Sequence, residues 1–435
     1  MWPNIIPALN LALVWLLGLT LAFVLVSQSR VSHYLARLKH PLLFLVLVAL
    51  LARLLPLLLL PVGAGYDIDS FKLVSDAFLN GEEVYTSTAR GRHPYLPLQM
   101  YIIGTTTFLS RVTPLPFITW LKLPSVLADL FITAIIFKVF RRWGESETTA
   151  VFWALLYALN PISVLVSTYH GQFDSIPTLL LLLAWYTWNF GRHVKRSAAL
   201  LGFAILDKTW PALFLPVIFI RLPDHRRRLI YTLISISIPV LFTGAYVLIY
   251  DSDPVPMLRR ALTHAGVPGY WGLSALLYTP GSAWFDPEQI LQGILPLQRG
   301  VLLLAALFTL WWTRRQNALD ALLTIMLAIF TVTLGMGIQW LIWPLAFAIV
   351  AKEQHWLKWF TIAGAFMMFV HLYGLHLYPW ANQIFEPQIA AAIIRSSALP
   401  AWIVVLLWTF SRLQRARGLA PPPVDSPTPV VERSE

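Results

Sequence analysis

The chain reads as long apolar runs cut by short polar interruptions. Apolar stretches near the ~20 residues needed to cross a bilayer recur along its length. They predict spans over 5–27, 41–62, 117–140, 149–168, 174–190, 229–250, 298–313, 319–335, 338–350, 359–375 and 400–411. The expected fold class is an all-α polytopic membrane protein with about 11 transmembrane helices. A β-barrel is excluded, because its strands would alternate polar and apolar positions.

The segment 197–220 departs from this pattern. It is apolar and long enough to span, yet it is broken at Asp207-Lys208-Thr209-Trp210-Pro211 and has basic clusters at both ends. Proline removes a backbone donor, and the charged pair is costly in lipid. Two half-length pieces meeting at a polar tip predict a re-entrant hairpin, tolerated where protein or water surrounds it. One kinked helix in which Asp207 and Lys208 neutralise each other is the alternative.

Charge orients the spans. Basic residues cluster at Arg30/Arg37/Lys39, Lys138/Arg141/Arg142, Arg192/Lys195/Arg196, Arg221/Arg226/Arg227/Arg228, Arg314/Arg315, Lys352/Lys358 and Arg412/Arg415/Arg417. Short basic loops between spans face anionic cytoplasmic lipid. They account for the net charge of +11 without a nucleic-acid partner. The expected N-terminus is outside and the C-terminus inside, in the plasma membrane of a prokaryote or the endoplasmic reticulum of a eukaryote. The first span lacks a basic flank and a small-residue cleavage site, and reads as a retained helix. One integral-membrane domain is expected over 1–411, with long extracytoplasmic loops at 63–116 and 251–298. Beyond it, 412–435 is Pro-rich and reads as a disordered cytoplasmic tail.

Composition agrees. Hydrophobic residues make up 57% of 435 positions and charged residues 12%, against about a quarter charged in soluble domains. Mean hydropathy is +0.67. With no cysteine, disulfides, thiolate metal sites and cysteine nucleophiles are excluded. No metal-ligand spacing, P-loop or serine elbow occurs.

The outer face gathers polar groups that a connector does not need. Asp67 and Asp69 follow a span directly. Asp69 has an ordinary reading as the cap of a helix beginning at "SFKLVSDAF", which leaves Asp67 less explained. His170, Gln172 and Asp174 interrupt two apolar runs. Lys208, Arg90, Arg92 and His93 stand where cations are scarce; an anionic ligand would explain them, as would pairing with Asp76, Glu82 and Glu83. Gln339-Trp340 occupies a tight turn. Deeper, Arg53 and Asp129 lie at comparable depth on consecutive helices, which makes them a plausible intramembrane pair. Lys122 is shallow enough to snorkel.

The chain resembles the GT-C glycosyltransferases, which use lipid-linked sugars, and within them the family of the first GPI mannosyltransferase. "GYDIDSFKLVSDAFLNGEEVYTSTARGRHPYLPLQMY" is similar to that family's catalytic loop. "NPISVLVSTYHGQFDSIPTLLLLL", "LGFAILDKTWPALFLPVIF" and "IQWLIWPL" resemble its later blocks. His170-Gly171-Gln172-Phe173 stands in place of Arg-Gly-Asn-Ala, so the hexose stays open between mannose, glucose and another hexose. The resemblance implies inverting transfer from a polyprenyl-phosphate sugar donor to a glycolipid or glycan acceptor. Asp67 would be the base, with Asp69 beside it. Lys208, Arg92 and His170 would meet the leaving phosphate, and Gln172, Asp174, Tyr95 and Gln339 the sugar or acceptor. No cofactor is required; a divalent metal at Asp67/Asp69 is compatible with the chemistry. A small membrane partner subunit fits the same implication. The rival class is a transporter or flippase, which predicts midplane charges and duplicated halves; the chain has no clear internal repeat. An oligosaccharide ligase and a non-catalytic scaffold are further alternatives.

Overall fold

A computed structural model describes residues 5–28, 38–60, 63–191, 193–264, 266–279, 286–384 and 386–418. Arg30, Arg37, Arg192 and the tail from 419 lie outside the described residues. The chain is an all-α membrane bundle, with a single two-residue strand pair among the described residues.

Six described helices are long and apolar enough to cross a membrane: Ala8–Val26, Pro41–Leu59, Phe117–Arg142, His225–Tyr250, Pro287–Trp312 and Ile389–Ala416. Glu147–Ala158 with Pro161–His170 makes a seventh, bent by 44°. The expectation of about 11 is therefore reached only by counting shorter pieces. Trp210–Phe219, Ala318–Val332 and Ile338–Val350 are apolar but too short to span alone. Several stop at the turns that carry the polar groups described below.

The hairpin expectation agrees with the geometry. Helix Val194–Asp207 runs in from the basic end, Lys208 is extended, and a 3₁₀ turn at Trp210–Leu213 leads into Phe214–Phe219. Val194 at the start and Arg221, Leu222 and Pro223 at the end line one cavity. The segment therefore enters and leaves on the same face.

The first long loop folds as two helices, Gly65–Leu79 and Leu98–Val112. Asp69 does not cap the first. That helix begins four residues earlier, with Ala64 at the N-cap and no side-chain cap. Gly63 is the physical reason: a Cβ there would lie 2.7 Å from Ile68 Cγ1 and 3.2 Å from the His170 carbonyl. That close approach lets Ala64 N–H donate to the same carbonyl at 3.2 Å. The chain is pinned as it leaves the preceding helix, and the new helix starts at once. Asp67 falls in its first turn, where the helix dipole favours a carboxylate. In the second long loop Val267 and Pro268 pair with Met336 and Gly335, which brings this loop against the Gln339 turn.

Within the bundle, Arg53 Nε donates to Asp129 Oδ2 at 2.9 Å, and both side chains are fully buried. Tyr157 Oη donates to Asp129 Oδ1 at 2.7 Å, and Arg53 also reaches the Ala158 carbonyl and Ser163 Oγ. Lys122 does not snorkel. It is 1% exposed and donates to the Leu60 carbonyl at 2.9 Å, one of the carbonyls a helix end leaves unpaired. The last helix continues to Ala416 rather than ending at 411, because Arg412 is buried against Asp320 and Glu353.

Candidate active site

Three sharp turns and one helix start build the site. Asn160 caps Pro161–Leu165, accepting from Ile162 N–H at 3.0 Å. The helix then widens into a π turn, Val166–His170; such turns concentrate at functional sites. Gly171 ends it at φ +78, a left-handed conformation that only glycine takes without cost. This reversal sends His170 and Gln172 back toward the Gly65–Leu79 helix. At the third turn the amide of Gln339 folds over Gly337, where an added Cβ would lie 2.7 Å from Gln339 Oε1.

Asp67 is the accessible carboxylate, its side chain 30% exposed. Gln172 Nε2 donates to Asp67 Oδ2 at 2.7 Å, and His170 Nε2 stands 3.5 Å from the same oxygen. Gln339 faces His170 from the third turn. Behind this group, Lys208 Nζ donates to Asp174 Oδ2 at 2.7 Å, and both side chains are buried. Trp343 Nε1 donates to Asp174 Oδ1 at 2.7 Å. The ammonium of Lys208 also lies 4.9 Å from the Tyr95 ring and 4.6 Å from that of Phe173. Tyr95 joins the two groups: burial first, then the charges of Asp174, Asp67 and Asp207, push its hydroxyl well above the ordinary tyrosine range. It therefore stays a neutral phenol at physiological pH.

Asp67, His170, Gln172, Gln339, Lys208, Asp174 and Tyr95 thus converge. Asp69 does not join them. Two positions along a helix are about 200° apart, and Asp69 is exposed with no partner among the described residues. The same divergence keeps the two carboxylates from acting as one clamp. Among the described residues no group of three or more His, Asp or Glu is placed to hold a metal ion. Asp174 faces inward, both its oxygens taken by Lys208 and Trp343, which is a counter-ion's place rather than a sugar contact. Arg92 lies at the rim, its guanidinium 4.2 Å from the Tyr66 ring and 3.2 Å from Ser70 Oγ. It pairs with none of Asp76, Glu82 or Glu83.

The sequence reading missed three neighbours. Trp343 holds Asp174 and stacks on Trp210 and Trp340 at 4.7 and 4.9 Å. His264 faces both Tyr95 and Trp340 at 6.3 Å. Gln99 donates to the fully buried Asp207. The only signals for Trp343 and Gln99 were their places in "IQWLIWPL" and in the stretch ending "HPYLPLQMY"; none existed for His264, which arrives from the second long loop.

The profile of glycosyltransferase family 87 matches residues 100–344, more than half of the chain. That range holds His170, Gln172, Asp174, Lys208 and Gln339 but stops short of Asp67. GPI mannosyltransferase 1 of Gibberella zeae is 29% identical over 127 residues, 27% of this chain and 29% of that protein. The match thus spans under a third of that curated relative's length. No solved structure matches the chain.

Proposed function

This chain belongs to glycosyltransferase family 87, and on that premise we propose that it moves a hexose, mannose before glucose, from a polyprenyl-phosphate donor. The acceptor is a hydroxyl of a lipid-linked or free glycan, and the reaction takes place on the extracytoplasmic side. The single observation that carries the reading is one reachable carboxylate, Asp67, set in the same cluster as one buried ammonium, Lys208. GPI mannosyltransferase 1, by its name a mannosyl-transferring enzyme, supports mannose as the first choice.

Asp67 takes the proton of the acceptor hydroxyl as that oxygen attacks the anomeric carbon. The new C–O bond forms on the face opposite the breaking bond to phosphate oxygen, so the configuration inverts and polyprenyl phosphate leaves. Its charge meets Lys208, which gives one of its three N–H bonds to Asp174 and keeps the others. Fixed donors in a site shielded from water stabilise a departing anion strongly. His170 borders the same space, and Arg92 stands at its rim. The turns lie where short helices stop, so the prenyl chain remains in lipid while the phosphate approaches Lys208.

The test uses purified protein in detergent with labelled polyprenyl-phosphate mannose or, separately, glucose, and a membrane lipid extract as acceptor pool. Label should pass to a lipid product from one of the two donors. Asp67→Asn should abolish transfer while donor binding persists. Transfer from neither donor, or a full rate in Asp67→Asn, overturns the proposal.

A further inference from the structure

We infer that Gln172 is a positioning residue for Asp67, holding one carboxylate oxygen so that the other faces the acceptor hydroxyl; this rests on Asp67 being the base. Gln172 Nε2 donates to Oδ2 at 2.7 Å. Oδ1 has no hydrogen-bond partner among the described residues. A carboxylate only accepts, so the amide must turn its nitrogen toward Asp67. One oxygen is thereby fixed and the other left with a lone pair for the incoming proton.

Gln172 is itself immobile. It is 2% exposed, its backbone N–H donates to the Val166 carbonyl at 3.2 Å, and its carbonyl accepts from Ser125 Oγ at 2.9 Å. Gly171 at φ +78 aims it. Asp67, by contrast, stands in the exposed first turn of its helix and would otherwise sample several rotamers. The cost side of the geometry agrees. Gln172 Oε1 is buried with no hydrogen-bond partner among the described residues, a state that is unfavourable in a purely structural amide. An apolar side chain of the same shape would avoid that cost, but it could not hold Asp67.

The experiment compares Gln172→Met, which keeps the shape and loses the donor, with Gln172→Glu, which replaces the donor by a second carboxylate. Wild type, both variants and Asp67→Asn are purified in detergent and normalised to folded protein by thermal unfolding. They are then assayed for kcat, for the donor KM and for equilibrium binding of labelled donor. Loss of a hydrogen bond to a charged group predicts a kcat about 10- to 100-fold lower in Gln172→Met, with donor binding unchanged within about 2-fold. Gln172→Glu should be at least as slow. An unchanged kcat in Gln172→Met overturns the inference. So does weakened donor binding with kcat intact, which would make Gln172 a substrate contact, or a rate loss that vanishes on normalising to folded protein. If Asp67→Asn is dead and Gln172→Met fully active, only this inference falls. If Asp67→Asn is fully active, the base assignment falls with it.

Discussion

Lys208 and Asp174 meet 2.7 Å apart with both side chains buried. They come from the tips of two different turns, one at the break of the re-entrant hairpin and one just after the π turn. Trp343 from a third turn takes the other Asp174 oxygen. Three reversals of the chain are thereby tied at one carboxylate, which also fixes the ammonium to which the proposed function assigns the donor phosphate.

Asp174→Asn should therefore weaken both fold and function. Removing one member of a buried pair costs about 3–5 kcal/mol because the remaining charge is stranded. The thermal midpoint in detergent should fall, and the folded fraction should bind labelled polyprenyl-phosphate sugar more weakly. A variant with unaltered midpoint and donor binding would remove this pair from the site.

Arg53 and Asp129 form a second buried pair, distant in role. Arg53→Met strands Asp129 beside Tyr157 and should again cost about 3–5 kcal/mol. Arg53→Met combined with Asp129→Leu should recover much of that loss. Transfer per folded molecule should be unchanged throughout, since neither member of the pair touches Asp67, His170, Gln172 or Lys208. A specific loss of kcat at normal stability would contradict this.

Asp69→Asn separates the two carboxylates of the opening motif. Asp69 is exposed and unpartnered among the described residues, so the change should shift stability by no more than about 0.5 kcal/mol and leave transfer near the wild-type rate. Abolished transfer would return Asp69 to the chemistry.

Gly171→Ala should be damaging although it adds one methyl group. The new Cβ would sit 3.1 Å from Ile68 Cδ1 at a φ of +78, so both space and backbone resist it. Because Gly171 aims Gln172, the rate should fall beyond the loss of folded protein. Equal activity per folded molecule would show that the turn tolerates the shift.

His93 supplies a pH dependence. It is 2% exposed, packed edge-on against Tyr85 and Tyr95 at 5.8 and 5.4 Å, and burial pushes its imidazole down to about 4. The folded chain keeps it neutral, while the unfolded chain takes up a proton below about 6.5. Its contribution is complete above that value and is lost as pH falls toward about 4. Between pH 7 and 5 the loss is about 2 kcal/mol, read as a lower thermal midpoint in detergent. His93→Phe keeps an aromatic ring in the cage and should narrow the gap between the two pH values.

Much of this was legible in the residue order. Long apolar runs can only be helices in a bilayer, because backbone groups have no other partners there, so the fold class followed from periodic greasiness alone. The depth of Arg53 and Asp129 on consecutive spans was enough to pair them, since an isolated charge in lipid is too costly to leave alone. The Asp207–Pro211 break announced a hairpin for the same reason. Asp67, His170, Gln172, Lys208 and Gln339 stood out as polar groups for which an apolar chain has no ordinary use.

Tertiary structure decided what each of those groups does. Asp69 lost its cap when Gly63 let the chain approach His170 and start the helix at Gly65. Asp174 turned from a presumed sugar contact into the counter-ion of Lys208, a distinction of one side-chain direction that residue order does not encode. Trp343, Gln99 and His264 joined the site only because separate loops and turns converge there, and such convergence is set by helix packing over long chain distances. The sequence by itself determined that polar groups would collect at one end of a membrane bundle, because lipid excludes them elsewhere. Only the folded chain decided which oxygen of Asp67 is held and which is left free, because that depends on the reversal at Gly171.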